Sequence, residues 1–355
     1  MQTGLLLIVG LVLLLGGAEL MIRGAARLAV ATGLSPLVVG LTVVAFGTSA
    51  PELAIGVDAA LRGAPAIAVG NVVGSNIANV LLILGLSALV APLRVARQLI
   101  RLDVPLMLAL SVLVLLLALD GRIGRVEGGA LVLMAVGYTA FVVRLARRES
   151  AAARAAEAPE PAVRAVWWRD LALVIVGLVL LVLGARALVS AAVSIALSLG
   201  LGELVVGLTV VAVGTSLPEI AASAVATVRG HGQMAVGNVV GSNIFNLSAV
   251  LGASAAVAAG GMPVSAAART FDLPVMTAVA FACLPIFFTG HRIARWEGGL
   301  FLGYYVAYAA YLLLDNTGHD AAPLLGRAMM GFVLPLTAVT LAVVTARAWK
   351  LRRGD

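Results

Sequence analysis

Two glutamates stand in otherwise apolar sequence with the same small set of polar neighbours. Residues 40–52 read GLTVVAFGTSAPE and residues 207–219 read GLTVVAVGTSLPE, so Glu52 and Glu219 each follow a threonine, Thr48 or Thr215, by four. Residues 68–79 read AVGNVVGSNIAN and residues 235–246 read AVGNVVGSNIFN. The first pair shares 11 of 13 residues and the second 11 of 12, both at an offset of 167 (207 − 40 and 235 − 68). A carboxylate inside a bilayer costs at least ~2.5 kcal/mol, so it needs a partner. None of the four motifs holds a Lys or an Arg. A bound cation is the natural counter-charge.

The neighbours are oxygen donors. On a helix, Thr48 and Glu52, Thr215 and Glu219, Ser75 and Asn79, and Ser242 and Asn246 are i,i+4 pairs that share a face. Ser49 and Ser216 lie beside them. Pro51 has no N–H for the Gly47 carbonyl and Pro218 none for Gly214, so both helices should break and turn carbonyl oxygens inward. For Asn71, Asn76, Asn238 and Asn243, helix bracing and ligation both stand open. The three histidines, His231, His291 and His319, fall near the ends of apolar segments. Oxygen-only ligation suits hard cations such as Na⁺, Ca²⁺ and Mg²⁺ and argues against Zn²⁺ or copper. Two carboxylates neutralise one Ca²⁺ or two Na⁺, which favours competition for one cage.

The elements that must carry these residues are membrane helices. The chain is 62% hydrophobic and 12% charged, far more apolar than a soluble domain. Eleven spans are expected, near 4–22, 36–61, 66–90, 99–119, 127–146, 169–197, 203–228, 233–259, 270–289, 297–314 and 326–346. With the N-terminus outside, 18 Lys/Arg fall on the cytoplasmic side and 6 outside, in the sense of the positive-inside rule. The net charge of +7 is then topological, and no nucleic-acid partner is expected. The first segment lacks a preceding basic residue and reads as a retained helix with its start outside. A single cysteine, Cys283, rules out a disulfide framework.

Five spans per repeat unit, an odd number, turn the second copy upside down. The expected fold is therefore an all-α polytopic membrane protein: two inverted five-helix repeats forming a ten-span core, plus one extra C-terminal helix. Its parts are residues 1–147, a cytoplasmic linker at 148–167, the second repeat at 168–317, and an eleventh span with a basic cytoplasmic tail at 318–355. Fainter echoes pair Asp103-Val-Pro105 with Asp272-Leu-Pro274, and Arg125-Val-Glu127 with Arg295-Trp-Glu297. Asp103 and Asp272 read as helix N-caps, and Glu127 and Glu297 as first-turn acids complementing the helix dipole. Glu19 reads as an i,i+4 partner of Arg23, Asp58 as a solvated residue of the outer mouth, and Tyr304, Tyr305, Tyr308 and Tyr311 as packing or interfacial anchors.

GTSAPE with GSNIAN, repeated as GTSLPE with GSNIFN, closely resembles the paired alpha-repeats of the calcium/cation antiporter superfamily, in its bacterial sodium/calcium exchanger branch. The resemblance covers about residues 1–317. It implies a secondary antiporter of a bacterial inner membrane, needing no cofactor and no enzymatic activity, in which Glu52 and Glu219 bind Ca²⁺ and Na⁺ in alternation. Thr48, Ser49, Ser75, Thr215, Ser216 and Ser242 would complete the sites, with Asn79 and Asn246 and the carbonyls of Ala45 and Ala212. The proline argument points instead to the Gly47 and Gly214 carbonyls, half a turn away. Some relatives carry Asp at the position of Asn246; two amides leave one fewer charge and disfavour potassium co-transport. By the same resemblance the first and sixth spans would move across a site fixed by spans two, three, seven and eight. Ca²⁺/H⁺ antiport is the nearest alternative, then a cation channel. A serine or aspartyl intramembrane enzyme lacks the histidine or paired core aspartates it would need.

Overall fold

The computed structural model describes residues 2–156, 167–198, 212–319, 321–329 and 342. Helix α1 (Gln2–Thr32) is followed by α2 (Pro36–Thr48) and α3 (Ala50–Leu61), which meet at a 43° bend. Next come α4 (Pro65–Val90), α5 (Leu99–Asp120) and α6 (Arg125–Ala156). The second half has α7 (Trp167–Ser198), α8 (Ala212–Thr215), α9 (Leu217–Val228), α10 (Gly232–Val257), α11 (Ala268–Phe288) and α12 (Arg295–Asn316). A short α13 (Ala322–Ala328) closes the described part.

Among the described residues the protein is all-helical apart from two-residue strand pairs. Seven of the described helices are long and apolar enough to cross a membrane, or eight counting the bent α2–α3 pair as one. The expected seventh span is described only from Ala212, with Leu217–Val228 as a short apolar helix. The tenth is α12, a 22-residue helix outside that apolar set, for which its tyrosines and terminal charges account. The eleventh lies almost wholly outside the described residues, as does the basic tail, and so does 157–166 of the predicted linker. Helix α6 continues to Ala156, past residue 147.

Burial sorts the helices by role. In α4 and α10, 78% and 83% of the apolar window is inside the protein, whereas the other long spans bury only 22–39%. The helices that carry the GSN motifs are therefore central, and α1, α5, α6, α7 and α11 show apolar faces outward, with Leu5, Ile8, Val136 and Ile175 among the exposed side chains. Close approach of α2 and α10 depends on glycine: a Cβ at Gly241 would lie 2.7 Å from the Leu41 carbonyl oxygen. Among the described helices, α1 and α7 share the most extensive contact, again backbone to backbone at Gly17 and Gly177.

Irregular turns recur in both halves. A π-helical stretch starts at Asn79 and another at Asn246, and further ones end at Asp103 and Asp272. Such widened turns inside helices are frequent at functional sites. The strands also correspond, with Leu93–Arg94 paired to Arg292–Ile293 and Arg122–Ile123 paired to Met262–Pro263, both antiparallel. By chain position the first strand of one half matches the first of the other, yet each pairs with its partner's second.

The N-cap expectation for Asp103 and Asp272 is corrected. Both residues have helical φ and ψ and make no capping bond, because the π-turn before them already supplies carbonyls to the first N–H groups of the helix. Their carboxylates instead accept hydrogen bonds from tyrosine: Tyr138 Oη to Asp103 Oδ1 at 2.9 Å and Tyr308 Oη to Asp272 Oδ1 at 3.1 Å. Tyr308 is thus more than a packing residue. Glu127 and Glu297 do bind helix starts, accepting the Gly124 and Ala294 N–H groups at 2.6 and 2.7 Å.

Candidate cation site

Both GTS-x-PE motifs break at their serine. Ser49 (φ −84, ψ 3) and Ser216 (φ −89, ψ 4) leave the helical region, and Pro51 and Pro218 follow in the first turn of the next helix, where a missing N–H is harmless. Glu52 and Glu219 fall in those same first turns, at the positive end of the helix dipole.

The break brings the two halves together. Ser49 Oγ donates to Glu219 Oε1 at 3.3 Å, and Thr48 Oγ1 donates to Asn238 Oδ1 at 3.2 Å. Asn238 Nδ2 in turn donates to Ser223 Oγ at 2.9 Å. Ser223 was not anticipated; its signal is its place four residues after Glu219, on the same helix face. Asn71 Nδ2 reaches the Glu52 carbonyl at 3.4 Å and ties α3 to α4.

The central helices are bridged by amides. Asn79 Nδ2 donates to Asn243 Oδ1 at 2.9 Å, and its repeat counterpart Asn246 Nδ2 donates to Asn76 Oδ1 at 3.2 Å. Asn243 Nδ2 also reaches the Asn76 carbonyl at 3.3 Å. For Asn76, Asn238 and Asn243 the bracing reading has direct geometry. Asn79 and Asn246 spend their amide nitrogens on the brace and keep Oδ1 unpaired.

What remains is a group of unpaired oxygens in the protein interior. Both carboxylate oxygens of Glu52, Glu219 Oε2, Ser216 Oγ, Ser242 Oγ, Asn79 Oδ1 and Asn246 Oδ1 are buried without a hydrogen-bond partner. Thr48, Ser49 and Ser75 are buried as well, and Thr215 is half-buried. The Glu219 charge bears on Glu52, and among the described residues no ion pair reaches either glutamate. Among the described residues no group of three His, Cys, Asp or Glu gathers, and the other unpaired oxygens of this group are neutral hydroxyl and amide groups. Buried acceptors left unmatched cost about 1–3 kcal/mol each, more when charged, and oxygen donors of this kind suit a hard cation.

On the carbonyl question the two halves differ. The Ala45 carbonyl accepts the Ser49 N–H at 3.0 Å, whereas the Ser216 N–H goes to Val213 at 3.1 Å and not to Ala212. Pro51 and Pro218 have no N–H for Gly47 and Gly214.

Ion pairs sit at the rims. Glu19 binds Arg23 as expected, and also Arg229 from the second half, Nη2 to Oε1 at 2.6 Å, a link invisible to local spacing. Asp58 is exposed and pairs with Arg62 at 2.8 Å, holding that guanidinium above its ordinary pKa.

Comparison with known proteins places this architecture. The sodium/calcium exchanger protein family matches residues 3–144 and 170–314. Sodium/calcium exchanger MaX1 of Methanosarcina acetivorans is 34% identical over 348 residues, covering 87% of this chain and 97% of that protein. Inner membrane protein YrbG of Escherichia coli is 36% identical over 318 residues, covering 86% and 95%. Among solved structures, the sodium-calcium exchanger NCX_Mj soaked with 2.5 mM Na⁺ and 0.1 mM Ca²⁺ superposes with a TM-score of 0.75 at 31% identity, covering 87% of this chain and 98% of that one.

Proposed function

This chain belongs to the sodium/calcium exchanger protein family, and from that premise we propose that it exchanges Na⁺ for Ca²⁺ across a bacterial-type inner membrane by alternating access. Its coarse activity, membrane cation antiport, follows from the family. The observation that carries the finer reading is the pair of buried glutamates whose oxygens lack protein partners. Glu52 and Glu219 hold one Ca²⁺ or the Na⁺ ions that replace it. Thr48, Ser49, Ser75, Asn79, Thr215, Ser216, Ser242 and Asn246 supply neutral oxygens, with backbone carbonyls at Ala45 and Ala212.

The crossed strand pairing supports an inverted two-fold arrangement: in one half the chain runs from the first face to the second, in the other it runs back. On this reading residues 1–147 and 168–317 are the two repeats, joined by a cytoplasmic linker at 148–167, and 318–355 add an eleventh span. The N-terminus lies outside and the C-terminus in the cytoplasm, as the basic residues direct. Helices α1 and α7 move as the glycine-packed pair past the fixed α2–α4 and α8–α10.

The test is radiolabelled Ca²⁺ uptake into proteoliposomes under an outward Na⁺ gradient, with pH clamped by ionophore. Na⁺-driven uptake in wild type, lost in Glu52→Gln and in Glu219→Gln, supports the exchanger and its site. Uptake indifferent to Na⁺ but driven by a pH gradient moves the protein to Ca²⁺/H⁺ antiport, for which an unneutralised glutamate would be the proton carrier. Uphill exchange excludes a channel.

A further inference from the structure

A chamber of about 1030 Å³ opens between the last turns of α1, the start of α2, the first turns of α7 and the α9–α10 turn. It is separate from the glutamates, and its walls have two chemistries. The polar wall holds Arg27, Arg169, Asp170 and His231. Val30, Leu34, Leu173 and Val176 form the apolar one. We propose that this chamber binds an anionic glycerophospholipid, its phosphodiester on Arg27, Arg169 and His231 and its acyl chains along the apolar wall.

Charge favours that occupant. Arg27 lies 3.9 Å from Asp170, at the edge of ion-pair range, and Asp170 is nearly buried while Arg27 is exposed. Two guanidiniums against one carboxylate leave one positive charge, which a single phosphodiester balances. Arginine's planar donor fork matches phosphate oxygens, and basic pockets between membrane helices are known to take such headgroups.

Position favours a lipid over a free anion. The chamber sits at helix ends, where a headgroup resides, and Trp167 and Trp168 are 61% and 59% exposed there, as interfacial tryptophans are. Arg169 lies 5.7 Å over the Trp168 ring, which holds its guanidinium at that level. Val30 and Val176 are exposed at 72% and 49%, and a soluble phosphate would leave them uncovered. By the distribution of basic residues this is the cytoplasmic face, where anionic lipid attracts cations.

Lipid retention by native mass spectrometry of the whole chain, purified in neutral detergent, tests the assignment directly and without reference to which ions are transported. The probes are phosphatidylglycerol, phosphatidylcholine and inorganic phosphate. Wild type should retain one phosphatidylglycerol and no phosphatidylcholine, and excess phosphate should not displace the lipid. Arg27→Gln/Arg169→Gln should weaken retention by about a hundredfold or more, as loss of charge-assisted hydrogen bonds from two arginines implies. Arg169→Gln alone should weaken it less, and Arg97→Gln/Arg101→Gln, outside the chamber, should leave it unchanged. Equal retention in the chamber variants and the Arg97/Arg101 control overturns the proposal, as does equal retention of the two lipids. Displacement by phosphate overturns the lipid in favour of a soluble anion. The substituted arginines are exposed, so melting temperatures should match wild type; should the double variant fail to fold, the single Arg169→Gln carries the same comparison.

Discussion

Ser49 of the first repeat hydrogen-bonds Glu219 of the second, Oγ to Oε1 at 3.3 Å, while the mirrored pair, Ser216 and Glu52, is left unbonded. Two near-identical motifs thus give two unlike carboxylates. Glu219 has one oxygen held by a hydroxyl, and Glu52 has both oxygens open to a ligand. A hydrogen bond to a charged group contributes about 1.5–3 kcal/mol, so Ser49→Ala should lower apparent Ca²⁺ affinity by roughly ten- to a hundredfold. Glu52→Gln, which removes the charge outright, should abolish exchange. Ca²⁺-dependent uptake titrations read both, and a Ser49→Ala variant as tight as wild type would place the ion away from Glu219.

The amide brace should be a stability element. Asn243→Ala removes the acceptor of Asn79 and a donor to the Asn76 carbonyl, leaving buried polar groups unmatched. The expected cost is about 1–3 kcal/mol, visible as a lower melting temperature in detergent. Asn79→Ala should lower both melting temperature and Ca²⁺ affinity, because its Oδ1 faces no protein donor. If Asn79→Ala changes stability alone, that residue is brace and not ligand.

Adjacent glycines in α1 should behave oppositely. A Cβ at Gly17 would stand 2.6 Å from the Leu181 backbone nitrogen in α7, whereas at Gly16 nothing lies within 4 Å. Gly17→Leu should force the two helices apart, with loss of folded protein or of exchange. Gly16→Leu, facing outward, should be silent. Equal yields, melting temperatures and rates for the pair would refute the backbone seam.

Tyr138→Phe strips Asp103, a wholly buried carboxyl, of its tyrosine donor. Destabilisation of about 1–3 kcal/mol is expected, and Tyr138→Phe/Asp103→Leu should recover much of it because the buried carboxyl is removed together with its tyrosine donor. Thermal unfolding of the two variants decides: a double variant no more stable than the single would mean that Asp103 has another function.

The doubled motifs made the all-helical membrane fold, the candidate glutamates and the helix breaks legible from residue order alone. Each is a local property: apolar length, a carboxylate without a neighbouring cation, a proline after a serine. Bracing and capping were less legible. Asp103 looked like a cap because it precedes a proline, and spacing does not reveal that a π-turn has already satisfied the helix start. Ser223 and Arg229 were passed over because their partners, Asn238 and Glu19, lie 15 and 210 residues away.

Residue order therefore determined which groups must be buried together, since hydrocarbon tolerates them in no other way. Only the tertiary structure decided how they divide their hydrogen bonds: which carboxylate Ser49 serves, which amide nitrogens become struts, and which oxygens stay open. Those choices depend on the approach of helices from opposite halves of the chain, down to backbone contact at Gly241 and Gly17. A repeat of 167 residues makes two copies nearly equal in sequence, but packing around one shared interior need not keep them equal in geometry.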